Sequence, residues 1–275
     1  MEDDPITAAV RRTSQQYFEQ VSERTTLSCG YAYTNPAYPH VPGCNFIGEV
    51  MLDEDTPDPV ATVGAFFHSR GVECYQWVPA AIQDDDEVAR LVEPLGFRRR
   101  LRRVFVMPDV PLGEEAAKGT LRIVGGRAMR RAYTAVIHAR SEELPQRTRE
   151  IQPAVRAELA AELARVQLER LDDPQYDAFV ALRGDEPVGV ISVYQVGSIG
   201  RLCDLYVVPH HRRQRVATAL LRFAIGTARR WSLRPICMQA AADNRPALEL
   251  LERAGFDEAS AITTFTRPEV VEVGE

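Results

Sequence analysis

The stretch LYVVPHHRRQRVATALLRFA, from Leu205 to Ala224, decides the fold of this chain. An apolar, β-branched run ends at Pro209, a short and strongly basic segment follows, and an apolar pattern of helical period (Leu220, Phe223) begins at once. The pattern predicts a strand, a loop and a helix N-terminus. The first turn of a helix has unpaired backbone N–H groups and partial positive charge, so this arrangement beside several arginines is typical of a phosphate site.

The basic segment resembles the acyl-CoA pyrophosphate loop of the GNAT superfamily of N-acyltransferases, whose pattern is Gln/Arg-x-x-Gly-x-Gly/Ala. Arg212 matches the first position and Ala217 the last, whereas Arg215 stands where the family usually has a glycine that lets the backbone approach the pyrophosphate. The resemblance implies that this loop holds the phosphates and that the preceding strand holds the rest of the donor. The donor-binding residues implied in this way are Val207, Val208, Arg212, Arg213, Gln214, Arg215, Val216, Ala217 and Thr218.

A second segment, from Asp243 to Phe256, resembles the N-x-x-A-x-x-L-Y-x-x-x-G-F helix of the same family. The resemblance implies that Asn244 lines the pantetheine arm of the donor. Leu251 departs from the pattern, because it occupies the place where many members have a tyrosine that can protonate the leaving thiolate. The two motifs in this order extend the resemblance over about residues 120–268.

The order of predicted elements after residue 120 supports the same fold. Periodicity predicts a strand, two helices, three antiparallel strands, a helix, a strand, a helix and a strand. This is the GNAT order, so we expect an α/β (α+β) class with a mixed central sheet flanked by helices.

The N-terminal part repeats the second half of that order. We predict strands at 45–52, 72–78 and 101–107 and helices at 59–69 and 84–95. Gly96-Phe97 precedes Gly255-Phe256 by 159 positions. Coincidence remains an alternative, because a helix that ends in Gly-Phe is a common C-cap.

The interpretation as an internal duplication gives two GNAT-like units in tandem. It predicts a degenerate GNAT-like domain at 1–112, a linker rich in proline, glycine and charge at 113–119, and an N-acyltransferase domain at 120–275. The acidic segment from Asp53 to Asp58 replaces the basic loop in the first copy. Since its carboxylates would repel a pyrophosphate, we expect no donor site there.

Composition restricts the partners. The net charge of −6 argues against non-specific nucleic-acid binding, and no apolar run predicts a membrane span. The five cysteines are scattered, which favours reduced thiols over a disulfide framework or a zinc site, and we expect a cytoplasmic protein without a metal. An amine-bearing small molecule or peptide is the expected partner, and a homodimer is left open.

Acyl transfer to an amine requires a polarised thioester carbonyl, an amine that loses a proton, and a stabilised thiolate. Asp204 and Tyr206 are the candidate catalytic residues, because they lie on the predicted donor strand and alternation places them on one face. Structural roles in the core or at the surface remain open for both.

The resemblance therefore implies an acyl-CoA-dependent N-acyltransferase, most simply one that uses acetyl-CoA and transfers directly in a ternary complex. One alternative is an enzyme that uses a different acyl donor or an O-acceptor. The other is a non-catalytic acyl-CoA-binding or scaffold protein of the same fold. Arg215 and Leu251, which both depart from the active pattern, favour that alternative. The sequence does not identify the acceptor.

Overall fold

The computed structural model describes residues 5–53, 57–110, 121–147 and 153–268. The predicted linker at 113–119 lies outside the described residues, as does the middle of the acidic segment, 54–56. The described chain divides into two compact units. The first unit takes the described residues up to Arg102, those of Leu144–Val166 and those from Ala261 onward, and the second takes those of Arg103–Glu143 and Gln167–Ser260.

The helices are α1 (Pro5–Glu19), α2 (Pro59–Ser69), α3 (Asp85–Val92), α4 (Arg130–Arg147), α5 (Pro153–Glu169), α6 (Val216–Arg230) and α7 (Arg245–Arg253). The strands are β1 (Glu23–Leu27), β2 (Gly30–Thr34), β3 (Phe46–Val50), β4 (Gln76–Pro79), β5 (Arg98–Met107), β6 (Leu121–Gly125), β7 (Tyr176–Arg183), β8 (Glu186–Val196), β9 (Ile199–Val207), β10 (Ile236–Ala241) and β11 (Asp257–Thr266). Within the described residues, no helix combines the length and the apolar character that crossing a membrane requires.

The second unit contains a mixed sheet in the order β5-β10-β9-β8-β7-β6. The strands from β6 to β9 pair antiparallel, and β9 pairs parallel with β10. Nearly every residue of β8 and β9 is buried, and α6 packs on both strands. The predicted element order and the mixed sheet flanked by helices are confirmed.

The strands of the first unit lie in the order β1-β2-β3-β4-β11. Strands β3 and β4 are parallel, and the other neighbouring pairs are antiparallel. Its core joins side chains of α2, β4 and α3, among them Phe67, Trp77 and Val88, with Phe97. The sequence analysis did not predict α1 or the β1–β2 hairpin, and β4 begins four residues later than expected.

The two Gly-Phe segments adopt the same backbone conformation. Gly96 and Gly255 have φ values of 92° and 86°, in the left-handed region that favours glycine. The N–H of Phe97 donates to the Val92 carbonyl and that of Phe256 to the Leu251 carbonyl, so both helices end in the same Schellman-type turn. A ten-residue strand follows each turn. These parallels support the internal duplication, which stays a prediction.

Candidate active site

A bulge interrupts β9 in the middle of the sheet. The pairs of β8 with β9 include Val190 with Tyr206 and Ser192 with Cys203, so two residues of β9, Asp204 and Leu205, lie opposite one residue of β8. Asp204 has a φ of 59°, which an aspartate adopts more readily than most residues. The bulge re-aims the last residues of β9 relative to its neighbours.

Beyond the bulge, β9 leaves its parallel neighbour. The pairs between β9 and β10 end at Leu202 and Met238, although both strands continue. The N–H of Val208 donates to the Val188 carbonyl of β8 at 3.1 Å. In an antiparallel ladder, hydrogen-bonded pairs alternate with pairs that are not hydrogen-bonded. Since Val208 is hydrogen-bonded to Val188, the N–H and carbonyl of the preceding Val207 point away from β8, towards the edge where β10 no longer pairs. This edge agrees with the expected position of the donor.

In the loop between β9 and α6, two residues have a left-handed backbone conformation. Arg213 and Arg215 have φ values of 61° and 63°. Arg215 is the N-cap of α6 and makes no side-chain capping hydrogen bond, so the first turn of this helix lacks a side-chain cap. The left-handed backbone of Arg215 explains why glycine suits this position in the family's pattern. Turns of this kind form concave groups of N–H donors that bind anions.

The side chains of this loop differ in the hydrogen bonds that they make. Arg213 and Arg215 are exposed, and neither side chain has a hydrogen bond or ion pair to any other described residue. The Gln214 amide donates to the His210 carbonyl at 2.9 Å and accepts a hydrogen bond from Arg183. The two exposed guanidinium groups are therefore available to a phosphate, whereas the Gln214 side chain is already bonded.

Arg212 and Tyr206 both donate to one carboxylate, that of Glu143 on α4. Its Oε2 lies 2.6 Å from the Arg212 Nη2 and 2.7 Å from the Tyr206 hydroxyl. The Arg212 Nε donates to the Val207 carbonyl at 2.9 Å, and its guanidinium lies over the Tyr206 ring. The hydrogen bond that Arg212 donates to Glu143 is the largest influence on the pKa of Arg212 and raises it. In this arrangement the Arg212 side chain faces Glu143.

Asp204 lies in a buried network. Its carboxylate accepts hydrogen bonds from the Arg140 Nη1 and the Tyr176 hydroxyl, both at 2.8 Å. Burial alone would raise the pKa of Asp204, but the charge and hydrogen bond of Arg140 outweigh it and lower the pKa to about 2. A carboxylate so enclosed and so weakly basic is a poor proton acceptor for an incoming amine. Asp204 and Tyr206 do both contact α4, through Arg140 and Glu143.

Asn244 and Leu251 have structural roles in α7. The Asn244 side chain is the N-cap of the helix and accepts from the Ala247 N–H at 3.4 Å. Leu251 is 1% exposed. The implied contact of Asn244 with the pantetheine arm stays a prediction.

One group of potential metal ligands exists within the described residues. The ligand atoms of Glu186, His210 and His211 lie within 4.8 Å of one another. Arg183 lies 3.2 Å from the Nδ1 of His211, and because arginine only donates, that nitrogen accepts. The proton of a neutral His211 is then on Nε2, which lies 3.0 Å from Glu186. This nitrogen makes no hydrogen bond despite the short distance, and the expectation that no metal binds stays a prediction.

The start of the corresponding helix in the first unit is already occupied. Asp58 is the N-cap of α2, and its carboxylate accepts from the Ala61 N–H at 3.0 Å. Pro59 at the first helical position has no N–H to offer. The carboxylate takes the place that an anionic ligand would need, in contrast to the first turn of α6.

Sequence reasoning did not identify Glu143. It lies in the C-terminal part of α4, next to Glu142, and belongs to neither motif. Its three-residue spacing from Arg140 matches one helical turn, and their partners Tyr206 and Asp204 are two residues apart on β9. Only the packing of α4 beside β9 brings these groups together.

Comparisons with known proteins agree with this geometry. The family model described as the acetyltransferase (GNAT) family matches residues 138–256. The chain is 30% identical over 110 residues to an aminoglycoside N(6′)-acetyltransferase type 1 of Acinetobacter haemolyticus, a match that covers 40% of this chain and 74% of that protein.

Two solved structures resemble nearly the whole chain. A conserved protein of unknown function from Staphylococcus epidermidis is 14% identical, with a TM-score of 0.66 over 93% of this chain and 98% of that one. A GCN5-related N-acetyltransferase from Kribbella flavida is 13% identical, with a TM-score of 0.61 over 94% and 95%. At these identities the likeness shows the fold alone.

Proposed function

We propose, since this chain belongs to the acetyltransferase (GNAT) family, that it transfers an acetyl group from acetyl-CoA to an amine of a small molecule or peptide. Transfer would be direct, with donor and acceptor bound together, so that orientation supplies much of the rate. The family membership supports acetyl transfer in general, and the geometry of the second unit supports the position of the donor. The five cysteines of the chain are buried and none forms a disulfide, which suits the reducing cytoplasm that we also propose.

The start of α6 is the observation that carries the donor site. Its first turn has no side-chain cap, and the exposed Arg213 and Arg215 lie directly before it. The N–H groups of Val216, Ala217 and Thr218 are the donors that the first turn of a helix leaves without intrahelical partners. Helix dipole, N–H groups and two arginines together suit a pyrophosphate.

The diverging edge of β9 is the place for the pantetheine arm and the thioester. The Val207 N–H points to that edge and is the group that we assign to the donor. The Val208 N–H donates to β8 and the Val208 carbonyl accepts from the His211 N–H at 3.0 Å, so the implied contact of Val208 with the donor stays a prediction. A backbone N–H near the thioester oxygen would stabilise the negative charge that develops as the amine attacks.

The leaving thiolate needs a proton donor, and α7 does not offer one at the usual place, because Leu251 is apolar and buried. We assign this role to the Tyr206 hydroxyl, which follows the bulge in β9 and is hydrogen-bonded to Glu143. Asp204 would act by holding the bulge, through Arg140, and would not take part in proton transfer.

Release of CoA thiol in the presence of amines tests the proposed activity. Aminoglycosides are the first acceptors to try, because the curated relative bears that name. We expect thiol release that requires both acetyl-CoA and an amine and yields an N-acetylated product by mass spectrometry. Binding of acetyl-CoA without thiol release for any amine would favour the scaffold alternative, which the buried Leu251 supports.

A further inference from the structure

The cluster formed by Glu143, Tyr206 and Arg212 places a carboxylate, paired with a guanidinium, beside the donor strand. We infer that the Glu143 carboxylate binds the ammonium group of the acceptor, so that the enzyme selects amines that are cationic at neutral pH. This inference rests on the proposed acetyl transfer and names the residue that would recognise the substrate.

Two hydrogen-bond donors fix the Glu143 carboxylate in position. The Tyr206 hydroxyl and the Arg212 guanidinium both reach its Oε2, at 2.7 and 2.6 Å. Tyr206 directly precedes Val207, whose N–H points to the donor edge. A carboxylate held by charge-assisted hydrogen bonds at this point is preorganised for a ligand next to the thioester.

Exposure and charge suit a cationic ligand. Both carboxylates are paired with an arginine, but the Glu143 side chain is 20% exposed, which allows contact with solvent, whereas the Asp204 side chain is 3% exposed. An ammonium group donates three hydrogen bonds and gains most from an ionised carboxylate. Of the two carboxylates that contact the end of β9, Glu143 is therefore the one that a substrate can approach.

The mechanism needs no further group for this step. The bound ammonium loses one proton to water, its nitrogen forms the bond to the thioester carbon, and the carbon–sulfur bond breaks. The second proton leaves the nitrogen and replaces the one that the Tyr206 hydroxyl gives to the sulfur. The products are the acetamide, CoA thiol and one released proton.

Glu143→Gln is the test, because the amide oxygen still accepts from Tyr206 and Arg212 while the charge is lost. Glu142→Gln is the matched control, since Glu142 is the exposed neighbour on the same helix. We expect the KM for a cationic amine to rise about 10- to 100-fold in Glu143→Gln and to stay unchanged in Glu142→Gln. The KM for an aromatic amine that is uncharged at neutral pH should change little in either variant.

Calorimetry with acetyl-CoA and thermal melting complete the test. We expect both variants to bind acetyl-CoA and to melt like the wild type. An unchanged KM for the cationic amine in Glu143→Gln would overturn the inference, and so would a loss of acetyl-CoA affinity as large as the change in KM, which would mean that Glu143 acts through Arg212. A wild type that acetylates no amine would instead contradict the proposed function.

Discussion

Arg140 of α4 and Asp204 of β9 form an enclosed ion pair, with 2.8 Å between the guanidinium Nη1 and the carboxylate Oδ1 and side chains that are 4% and 3% exposed. The pair joins the helix to the bulge at which β9 leaves β10. A buried pair is costly to break, because removal of one partner leaves an uncompensated charge. We therefore expect the position of the donor strand to depend on it.

Arg140→Ala should lower the free energy of unfolding by about 3–5 kcal/mol, since it leaves Asp204 without its main partner. Arg130→Ala is the control on the same helix. Its ion pair with Asp172 is exposed, so its removal should cost less than about 1 kcal/mol. Urea unfolding of both variants measures the difference, and equal effects would show that the Arg140 pair adds nothing.

The stability of the protein should depend on pH through Asp204. Its pKa in the folded protein is about 2, below the ordinary value of 3.8, so the unfolded state binds the proton more readily. The stabilisation is complete above about pH 4 and is lost as the pH falls towards 2. Asp204→Asn should remove this component of the pH dependence of the unfolding free energy, which urea titrations between pH 2 and 6 would detect. A pH dependence identical to the wild type would contradict it.

Arg215→Gly should stabilise the protein by about 1 kcal/mol, because a left-handed backbone costs an L-residue about that much and glycine nothing comparable. Arg215→Ala separates the relief of backbone strain from the loss of the guanidinium, since alanine lacks the guanidinium but keeps the left-handed, strained backbone. If both variants bind acetyl-CoA equally and less tightly than the wild type, the guanidinium contacts phosphate. If neither loses affinity, only the backbone of Arg215 serves the donor. If Arg215→Gly melts at the same temperature as the wild type, or lower, the backbone of Arg215 is not strained as proposed.

Leu251→Tyr should destabilise the protein by about 1–3 kcal/mol, because Leu251 is 1% exposed and a larger side chain with a hydroxyl would overpack the core. Leu250→Tyr, at a half-buried position on the same helix, is the control and should cost less. Thermal melting measures both. A stable Leu251→Tyr variant with faster thiol release would show instead that this position faces the thiolate, as in the family's pattern.

Local patterns predicted much of the fold. The helix at 59–69 was predicted with both its ends, because Asp58-Pro59 begins it and Gly71 follows it. The strand, loop and helix around Arg212 were predicted from a run of β-branched residues, a proline and an apolar period.

Such local patterns could not predict the centre of the candidate site. The bulge at Asp204 is carried by a non-glycine residue in a left-handed conformation, which leaves no trace in the sequence. The contacts of Glu143 with Tyr206 and Arg212 join residues more than sixty positions apart, so only tertiary packing reveals them. Asp204 and Tyr206 were both predicted as candidate catalytic residues because alternation places them on one face of the strand, but alternation does not show what surrounds that face.

Calorimetric titration with acetyl-CoA tests the central claim, that the second unit binds one donor at the start of α6. The wild type should bind one equivalent per chain, and Arg213→Ala combined with Arg215→Ala should weaken binding by about 10- to 150-fold for each guanidinium that contacts phosphate, since one charge-assisted bond to phosphate contributes about 1.5–3 kcal/mol. Arg122→Ala, an exposed arginine on β6, should bind like the wild type. Two equivalents per chain, or an affinity that the double substitution leaves unchanged, would contradict the account.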